Sequence, residues 1–206
     1  MRKFVLIVLL AVMCSALPLL AAPIPAITLD NLTGQQLGNG PYTLGWEFTV
    51  NQNITVTALG VIDLNNQNGL LESHQVGIWD SNGFLQGQAT VLALDPLTNQ
   101  FRYATSTFVL TPGLYEIGAT WNSLLDPLIF PGFAVNFATA PPITFTQNSY
   151  IAGGFADPTN HVDTEPAYFG PNFLYTTSSI PEPGTLALLG SGLLGAVGVL
   201  RRKLNV

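Results

Sequence analysis

Two histidines are the side chains best suited to acid–base or metal chemistry in this chain. His74 lies two residues after Glu72, and His161 lies within an acidic stretch. A Ser-His-Asp triad needs no fixed sequence spacing, so a hydrolytic site has to be considered. The sequence contains neither a Gly-x-Ser-x-Gly elbow nor a His-Glu-x-x-His pair. It therefore predicts no catalytic residue, and we expect a protein that is not an enzyme.

The acidic stretch around His161 contains three carboxylates: Asp157, Asp163 and Glu165. We interpret it as a solvated polar loop. The alternative is a calcium site formed by these three residues, since carboxylate oxygens are the usual ligands of Ca²⁺. The segment Asp63–Gly69 is not an EF-hand loop, because its glycine falls one position late and the twelfth position is His74. No cofactor is predicted apart from this calcium alternative.

Aromatic side chains raise the question of sugar binding. All three tryptophans fall in the apolar register of predicted strands, which favours core packing because a buried Trp removes much apolar surface from water. Four aromatic residues near loops are better candidates for stacking on carbohydrate: Tyr42, Tyr168, Phe169 and Phe173.

Residues 27–178 have the pattern of an all-β domain. Short runs of β-branched and aromatic residues alternate with clusters of Gly, Asn, Pro and Asp, and no βαβ alternation is present. We predict two antiparallel sheets in a jelly-roll-like sandwich. Eight or nine segments are predicted as strands: 44–50, 54–62, 74–80, 84–94, 101–110, 114–121, 129–138, 143–151 and 167–176.

Details of this pattern give sharper expectations. Ser81–Gly83 is predicted as a hairpin turn, and Pro112-Gly113 as a type II turn. Arg102 is expected to point to solvent from its strand. The strand 84–94 has four predicted inward positions: Leu85, Ala89, Val91 and Ala93.

The first 21 residues have the form of a secretory signal peptide. Met1-Arg2-Lys3 precedes an apolar run, and small residues follow it, so we predict that signal peptidase cleaves between Ala21 and Ala22. An uncleaved membrane anchor is the alternative. Cys14 is the chain's single cysteine and lies in this segment, so the exported part has no thiol for a disulfide or a metal.

Positive charge is concentrated at the two ends. Arg102 is the single Lys or Arg between residues 22 and 180, where eleven acidic residues lie, giving a net charge near 1 − 11 = −10. Basic residues beside apolar segments stay on the cytoplasmic side, so the middle of the chain is expected outside. The lack of a basic patch also argues against nucleic acid as a partner.

The C-terminal segment, 180–206, has three parts in a fixed order. Pro181-Glu182-Pro183 interrupts the preceding fold, 185–200 is an apolar helix without charge, and Arg201-Arg202-Lys203 follows. At about 1.5 Å per residue the helix spans roughly 24 Å, just short of a bilayer core. Its apolar character on every side and its glycines favour a transmembrane helix over a buried helix of the domain.

This arrangement resembles the PEP-CTERM protein-sorting signal of exported proteins in Gram-negative bacteria that make exopolysaccharide. The resemblance implies recognition by an exosortase, a membrane protease-transpeptidase, with cleavage near Pro181–Pro183. The span Gly45–Trp121 also resembles a recurrent β-sandwich domain of PEP-CTERM proteins. That likeness is carried by four segments: 45–50, 58–61, 74–80 and 112–118.

Together these features predict an exported, non-enzymatic protein. The C-terminal helix would hold it in the inner membrane until processing, after which it would reach the cell surface or the extracellular matrix. The alternative is a carbohydrate-binding module that acts on exopolysaccharide, and an enzyme of polysaccharide turnover is a third hypothesis.

Overall fold

The computed structural model describes residues 22–30, 36–37, 40–64, 69–123, 125–129, 136–162 and 170–177, with five further separate positions in the tail. Between residues 22 and 177 every regular element that it describes is a β-strand. The predicted signal peptide lies outside these residues, as does most of the predicted C-terminal helix.

Two antiparallel sheets form the body of the domain. One has the order β1 (Ile24–Pro25), β15 (Pro171–Thr177), β5 (Ile54–Ile62), β9 (Phe101–Leu110) and β8 (Leu97–Thr98). The other has the order β14 (Asn160–Val162), β13 (Ile143–Ala152), β4 (Tyr42–Val50), β10 (Gly113–Trp121), β6 (His74–Asp80) and β7 (Leu85–Val91). Two short ladders join β11 (Pro127–Leu128) to β3 (Gln36–Leu37) and β12 (Asn136–Thr139) to β2 (Ile27–Asp30). The antiparallel all-β prediction is thus confirmed, whereas the jelly-roll assignment stays a prediction.

The core lies between the inner faces of the two sheets. Trp46 and Phe48 of β4 are fully buried and pack against Phe173 of β15, with ring centroids 6.1 and 5.1 Å from that of Phe173. Each such aromatic ring that is removed from water stabilises the fold by about 1.5–3 kcal/mol. Trp121 of β10 is also fully buried, so the expected core role of these two tryptophans is confirmed.

Arg102 is buried and does not point to solvent, which corrects the expectation for this residue. Its Nε donates to Asp63 Oδ2 at 2.7 Å, with the Arg and Asp side chains only 8% and 0% exposed. Its Nη1 donates to the carbonyl of Asp95 at 2.9 Å. As expected from strand alternation, Arg102 lies on the outer face of β9, whereas its neighbours Phe101 and Tyr103 face the core. The segment around Asp95, however, covers this outer face.

Two of the local turn and strand predictions also need correction. Leu85 and Ala93 are exposed, and of the four predicted inward positions of that strand Val91 is the one that is fully buried. Gly113 does not have the positive φ that a type II turn requires, and it begins β10 instead. The Ser81–Gly83 turn is confirmed, with Gly83 at a φ of 78°.

The predicted strand 129–138 is described only at its two ends. Ile129 lies in no strand, β12 covers Asn136–Thr139, and residues 130–135 lie outside the described residues. The strand predicted over 167–176 corresponds to β15, which begins at Pro171, and residues 167–169 lie outside the described residues.

Candidate functional site

The outer face of the six-stranded sheet carries an unusual row of small residues. Gly45, Gly118 and Gly77 are paired side by side on β4, β10 and β6. The row continues through Ser149 of β13 to His161 of β14. Without side chains, the three glycines leave a shallow trough across the middle of this face.

The connection between β13 and β14, residues 153–159, fills the trough. A Cβ at Gly77 would lie 2.7 Å from Phe155 Cζ, and a Cβ at Gly118 would lie 3.1 Å from Pro158 Cγ. Thr43 holds the connection in place, since its Oγ1 donates to Gly154 O at 2.8 Å and accepts from Ala156 N at 3.3 Å. The glycines therefore allow a loop to lie directly on the sheet.

At one end of this trough lies a cluster formed by Glu47, Glu116 and His161, which we call the carboxylate–imidazole cluster. Glu47 and Glu116 occupy directly opposed positions on β4 and β10. His161 Nε2 lies 2.7 Å from Glu116 Oε1 and 3.8 Å from Glu47 Oε2. The Glu47, Glu116 and His161 side chains are 7%, 12% and 36% exposed, so solvent reaches the cluster from the His161 side.

A β-bulge in β13 brings a fourth side chain, that of Gln147, to the cluster. The register of β13 against β4 shifts between Phe145 and Gln147, which places Gln147 opposite Glu47. Gln147 Nε2 then donates to Glu47 Oε1 at 3.0 Å. Bulges of this kind re-aim side chains, and here the result is that Glu47 is oriented by an amide donor.

Two carboxyl groups in and beside the cluster, those of Glu116 and Asp157, have pKa values raised by burial. Burial raises the pKa of Glu116, a shift that the hydrogen bond with His161 opposes and the charge of Asp157 reinforces. Burial also raises the pKa of Asp157, where His161 opposes the shift and Asp80 adds to it. Glu116 Oε2 and Asp157 Oδ1 are both buried without a hydrogen-bond partner. The cluster thus holds more carboxylate oxygen than its own donors satisfy.

His74, the other histidine, lies in a very different setting. It is fully buried at the start of β6, where Nδ1 contacts Thr120 O at 2.5 Å and Nε2 contacts Asp126 Oδ2 at 3.1 Å. Its ring packs against Trp121 at a centroid distance of 4.9 Å. Both ring nitrogens have partners, so His74 is positioned as part of the core.

The carboxylates beside His74 are likewise used by the fold. Asp126 accepts from the backbone nitrogens of Leu71 and Glu72, each at 2.9 Å. Glu72 Oε1 accepts from the backbone nitrogen of Ser123 at 3.2 Å. Glu72, His74 and Asp126 could in principle bind a metal, but their hydrogen bonds tie two loops to the end of β6.

Of the three predicted calcium residues, only Asp157 lies in the part of the chain that the structure describes. Asp157 lies in the connection over the trough, where burial raises its pKa and the nearby His161 opposes that rise. Asp163 and Glu165 lie outside the described residues, so the calcium alternative stays a prediction.

Two of the four predicted sugar-stacking residues, Phe173 and Tyr42, lie in the described part of the chain. Phe173 is fully buried in the core and cannot stack on a sugar, which corrects that expectation. Tyr42 is half-buried and packs edge-on against Tyr150 at 6.5 Å. Tyr168 and Phe169 lie outside the described residues. The third tryptophan, Trp79, is buried on the outer face, where it packs against Phe155 at 5.1 Å.

Sequence reasoning missed Glu47 and Glu116 as a pair. Each lies at a polar position of a predicted strand, which is the usual place for a solvated carboxylate. Only the pairing of β4 with β10 brings the two together. The sequence does contain a weak signal for this pair. Each glutamate has a glycine two residues away on the same face of its strand, Gly45 for Glu47 and Gly118 for Glu116.

The C-terminal segment is described at isolated positions only: Gly190, Gly192, Leu193, Ala196 and Leu200. Among the residues that the structure describes, no helix has both the length and the apolar character needed to cross a membrane. The sorting motif Pro181, Glu182 and Pro183 and the basic residues Arg201, Arg202 and Lys203 lie outside them. The transmembrane helix therefore stays a prediction.

Comparison with known proteins supports the interpretation of this tail. No curated protein and no solved structure matches the chain. The resemblance of Gly45–Trp121 to a recurrent domain accordingly stays a prediction. Residues 179–203 match the PEP-CTERM protein-sorting motif, which supports an exported protein that an exosortase recognises.

Proposed function

We propose that this protein is a non-enzymatic component of the cell surface or extracellular matrix, delivered by its C-terminal sorting segment. The observation that carries the proposal is the match of residues 179–203 to the PEP-CTERM motif. An exosortase would recognise the segment in the inner membrane of a Gram-negative bacterium and cleave near Pro181–Pro183. Signal peptidase would already have removed residues 1–21.

The distribution of charge supports this route. Five of the six Lys and Arg residues lie beside the two apolar end segments, and the exported middle is strongly acidic. Both basic groups would stay on the cytoplasmic side while the β-sandwich crosses the membrane. The acidic surface also opposes nucleic-acid binding, because nothing in the middle of the chain neutralises phosphates.

The burial of the polar groups supports a non-enzymatic role. A glycosidase places two carboxylates on either side of a sugar ring, which must reach both. Glu47 and Glu116 are paired on adjacent strands, and their side chains are only 7% and 12% exposed. We favour a surface or matrix component over an exopolysaccharide-binding module, because one of the four predicted stacking residues, Phe173, is in the core.

Mass spectrometry of the protein from cells with and without the exosortase tests the sorting proposal. We expect the C-terminus to end near Pro181–Pro183 when the protease is present and at Val206 when it is absent. A Pro181→Ala/Glu182→Ala/Pro183→Ala variant should keep Val206 in both strains. An intact C-terminus in the wild-type strain would overturn the proposal.

A further inference from the structure

The carboxylate–imidazole cluster has too little positive charge to balance its carboxylates, and the rest of the exported chain cannot supply more. Arg102 is the single Lys or Arg between residues 22 and 180, and it is committed to Asp63 in the other sheet. His161 is therefore the one nearby group able to carry a positive charge. It faces Glu47, Glu116 and Asp157 together, and Asp80 adds a further negative charge near Asp157.

The fold keeps the two glutamates together although like charges placed opposite each other on neighbouring strands destabilise a sheet. The Glu47 side chain is only 7% exposed, and its Oε2 lies 3.8 Å from His161 Nε2. Glu116 Oε2 is buried without any hydrogen-bond partner. A buried carboxylate oxygen without a partner is costly, which points to a cation that the protein's own residues do not provide.

The geometry of the three side chains fits a small divalent cation. One ligand atom from each of Glu47, Glu116 and His161 lies within 4.8 Å of the other two. Ligands about 2.0–2.1 Å from a tetrahedral ion are roughly 3.3–3.5 Å apart. The separations of 2.7 and 3.8 Å from His161 Nε2 to the two carboxylates bracket that distance, so small side-chain rotations suffice.

We propose that Glu47, Glu116 and His161 bind one divalent transition-metal cation of the zinc class. Imidazole with carboxylates suits Zn²⁺ better than Ca²⁺, which prefers oxygen ligands alone. Gln147 donates to Glu47 Oε1 and acts as the outer hydrogen bond that orients this ligand. The half-exposed His161 side leaves an entry path and room for water as a fourth ligand.

Metal binding is tested with the full-length chain, without an affinity tag, in mild detergent and after treatment with a chelator. A Cys14→Ser background removes the single thiol, which could bind zinc itself. Calorimetric titration with ZnCl₂ should show one equivalent bound. At a hundredfold excess over Kd, the melting temperature should rise by roughly 5–10 °C for a domain of this size.

Matched variants separate this cluster from the other histidine group. Glu116→Gln and His161→Gln should each weaken zinc binding by more than about tenfold, because each removes one ligand. Glu72→Gln is the control, since Glu72 belongs to the second histidine group and its amide oxygen can still accept from Ser123 N. It should bind zinc like the parent chain.

Nitrogen NMR of histidine gives a readout that does not depend on stability. The chain has two histidines, so two imidazole spin systems are expected. Zinc should shift the Nε2 resonance of His161 and leave that of His74 in place. Absence of heat and of any melting shift with Zn²⁺, or equal binding by Glu116→Gln and the parent, would overturn the proposal. Neither result bears on sorting, which depends on the tail.

Discussion

Arg102 and Asp63 form a buried ion pair in which Nε and Oδ2 are 2.7 Å apart. The pair joins β9 to the loop that follows β5, and Asp63 Oδ2 also accepts from Gly69 N at 3.0 Å. The single cation of the exported domain is thus used to close one end of the five-stranded sheet. Because Arg102 is buried, residues 22–180 place no Lys or Arg on the domain surface.

Removal of this cation should therefore destabilise the fold strongly. Arg102→Met leaves the Asp63 carboxylate buried without its charged partner, and the free energy of unfolding should fall by about 3–5 kcal/mol. Urea unfolding followed by tryptophan fluorescence measures the change. The double variant Arg102→Met/Asp63→Asn should recover a large part of the loss, and failure of any recovery would show that the pair is not the cause.

Asp126 should make stability depend on pH. Burial alone would raise the pKa of Asp126, but hydrogen bonds from His74 and from the backbone of Leu71 and Glu72 outweigh it and lower this pKa. A carboxyl whose folded pKa is lowered stabilises the protein above its unfolded pKa, about 3.9, and loses that contribution as the pH falls further.

The variant Asp126→Asn isolates this contribution. At pH 7 it should lower the free energy of unfolding by about 2–4 kcal/mol, because an amide replaces an acceptor of several hydrogen bonds. Melting temperatures of parent and variant should differ fully above about pH 5 and converge only as the pH falls below about 4, through the lowered pKa at which the folded parent carboxyl becomes neutral. A difference that stays constant with pH would contradict this role of the charge.

The trough on the six-stranded sheet should not tolerate side chains. In Gly77→Ala the new Cβ would lie 2.7 Å from both Phe155 Cζ and Trp79 Cη2, and the crowding should cost about 1–3 kcal/mol of stability. Gly154→Ala is the matched control, because no heavy atom lies within 4 Å of its added Cβ. That change should be neutral or slightly stabilising in chemical denaturation. Equal losses in both variants would refute the close packing of the loop on the sheet.

Phe155 should shield Trp79 from solvent. The two rings are 5.1 Å apart, and Trp79 is only 5% exposed although it lies on the outer face. In Phe155→Ala one of the three tryptophans should become accessible to acrylamide and the emission should shift to longer wavelength. Trp46 and Trp121 are fully buried in the core and should stay protected. Unchanged quenching would mean that another group covers Trp79.

The strands that have a clear period-two pattern could be predicted from the sequence. Residues 44–50 and 114–121 follow this pattern, and both segments form central strands, as β4 and β10. The apolar residues of such strands must face one side, so burial of Trp46 and Trp121 follows from local sequence alone. The alternation says nothing of what covers the opposite side.

The remaining features depend on contacts between distant parts of the chain. Arg102 was expected in solvent because its own strand gives no sign that the segment around Asp95 covers it. Glu47 and Glu116 are 69 residues apart in sequence, and His161 comes from a third region. Only strand order and register bring these three together, which is why the candidate metal site could not be found from motifs.

The pairing of β1 with β15 has a consequence for how the protein is released. Ile24 is paired with Tyr175, so the first and last strands of the domain end side by side at one corner of the five-stranded sheet. The expected cuts lie two residues before Ile24 and four residues after Thr177. Neither cut would thus remove a residue of a strand that the structure describes. The sandwich would leave the membrane with its hydrogen-bonded framework whole.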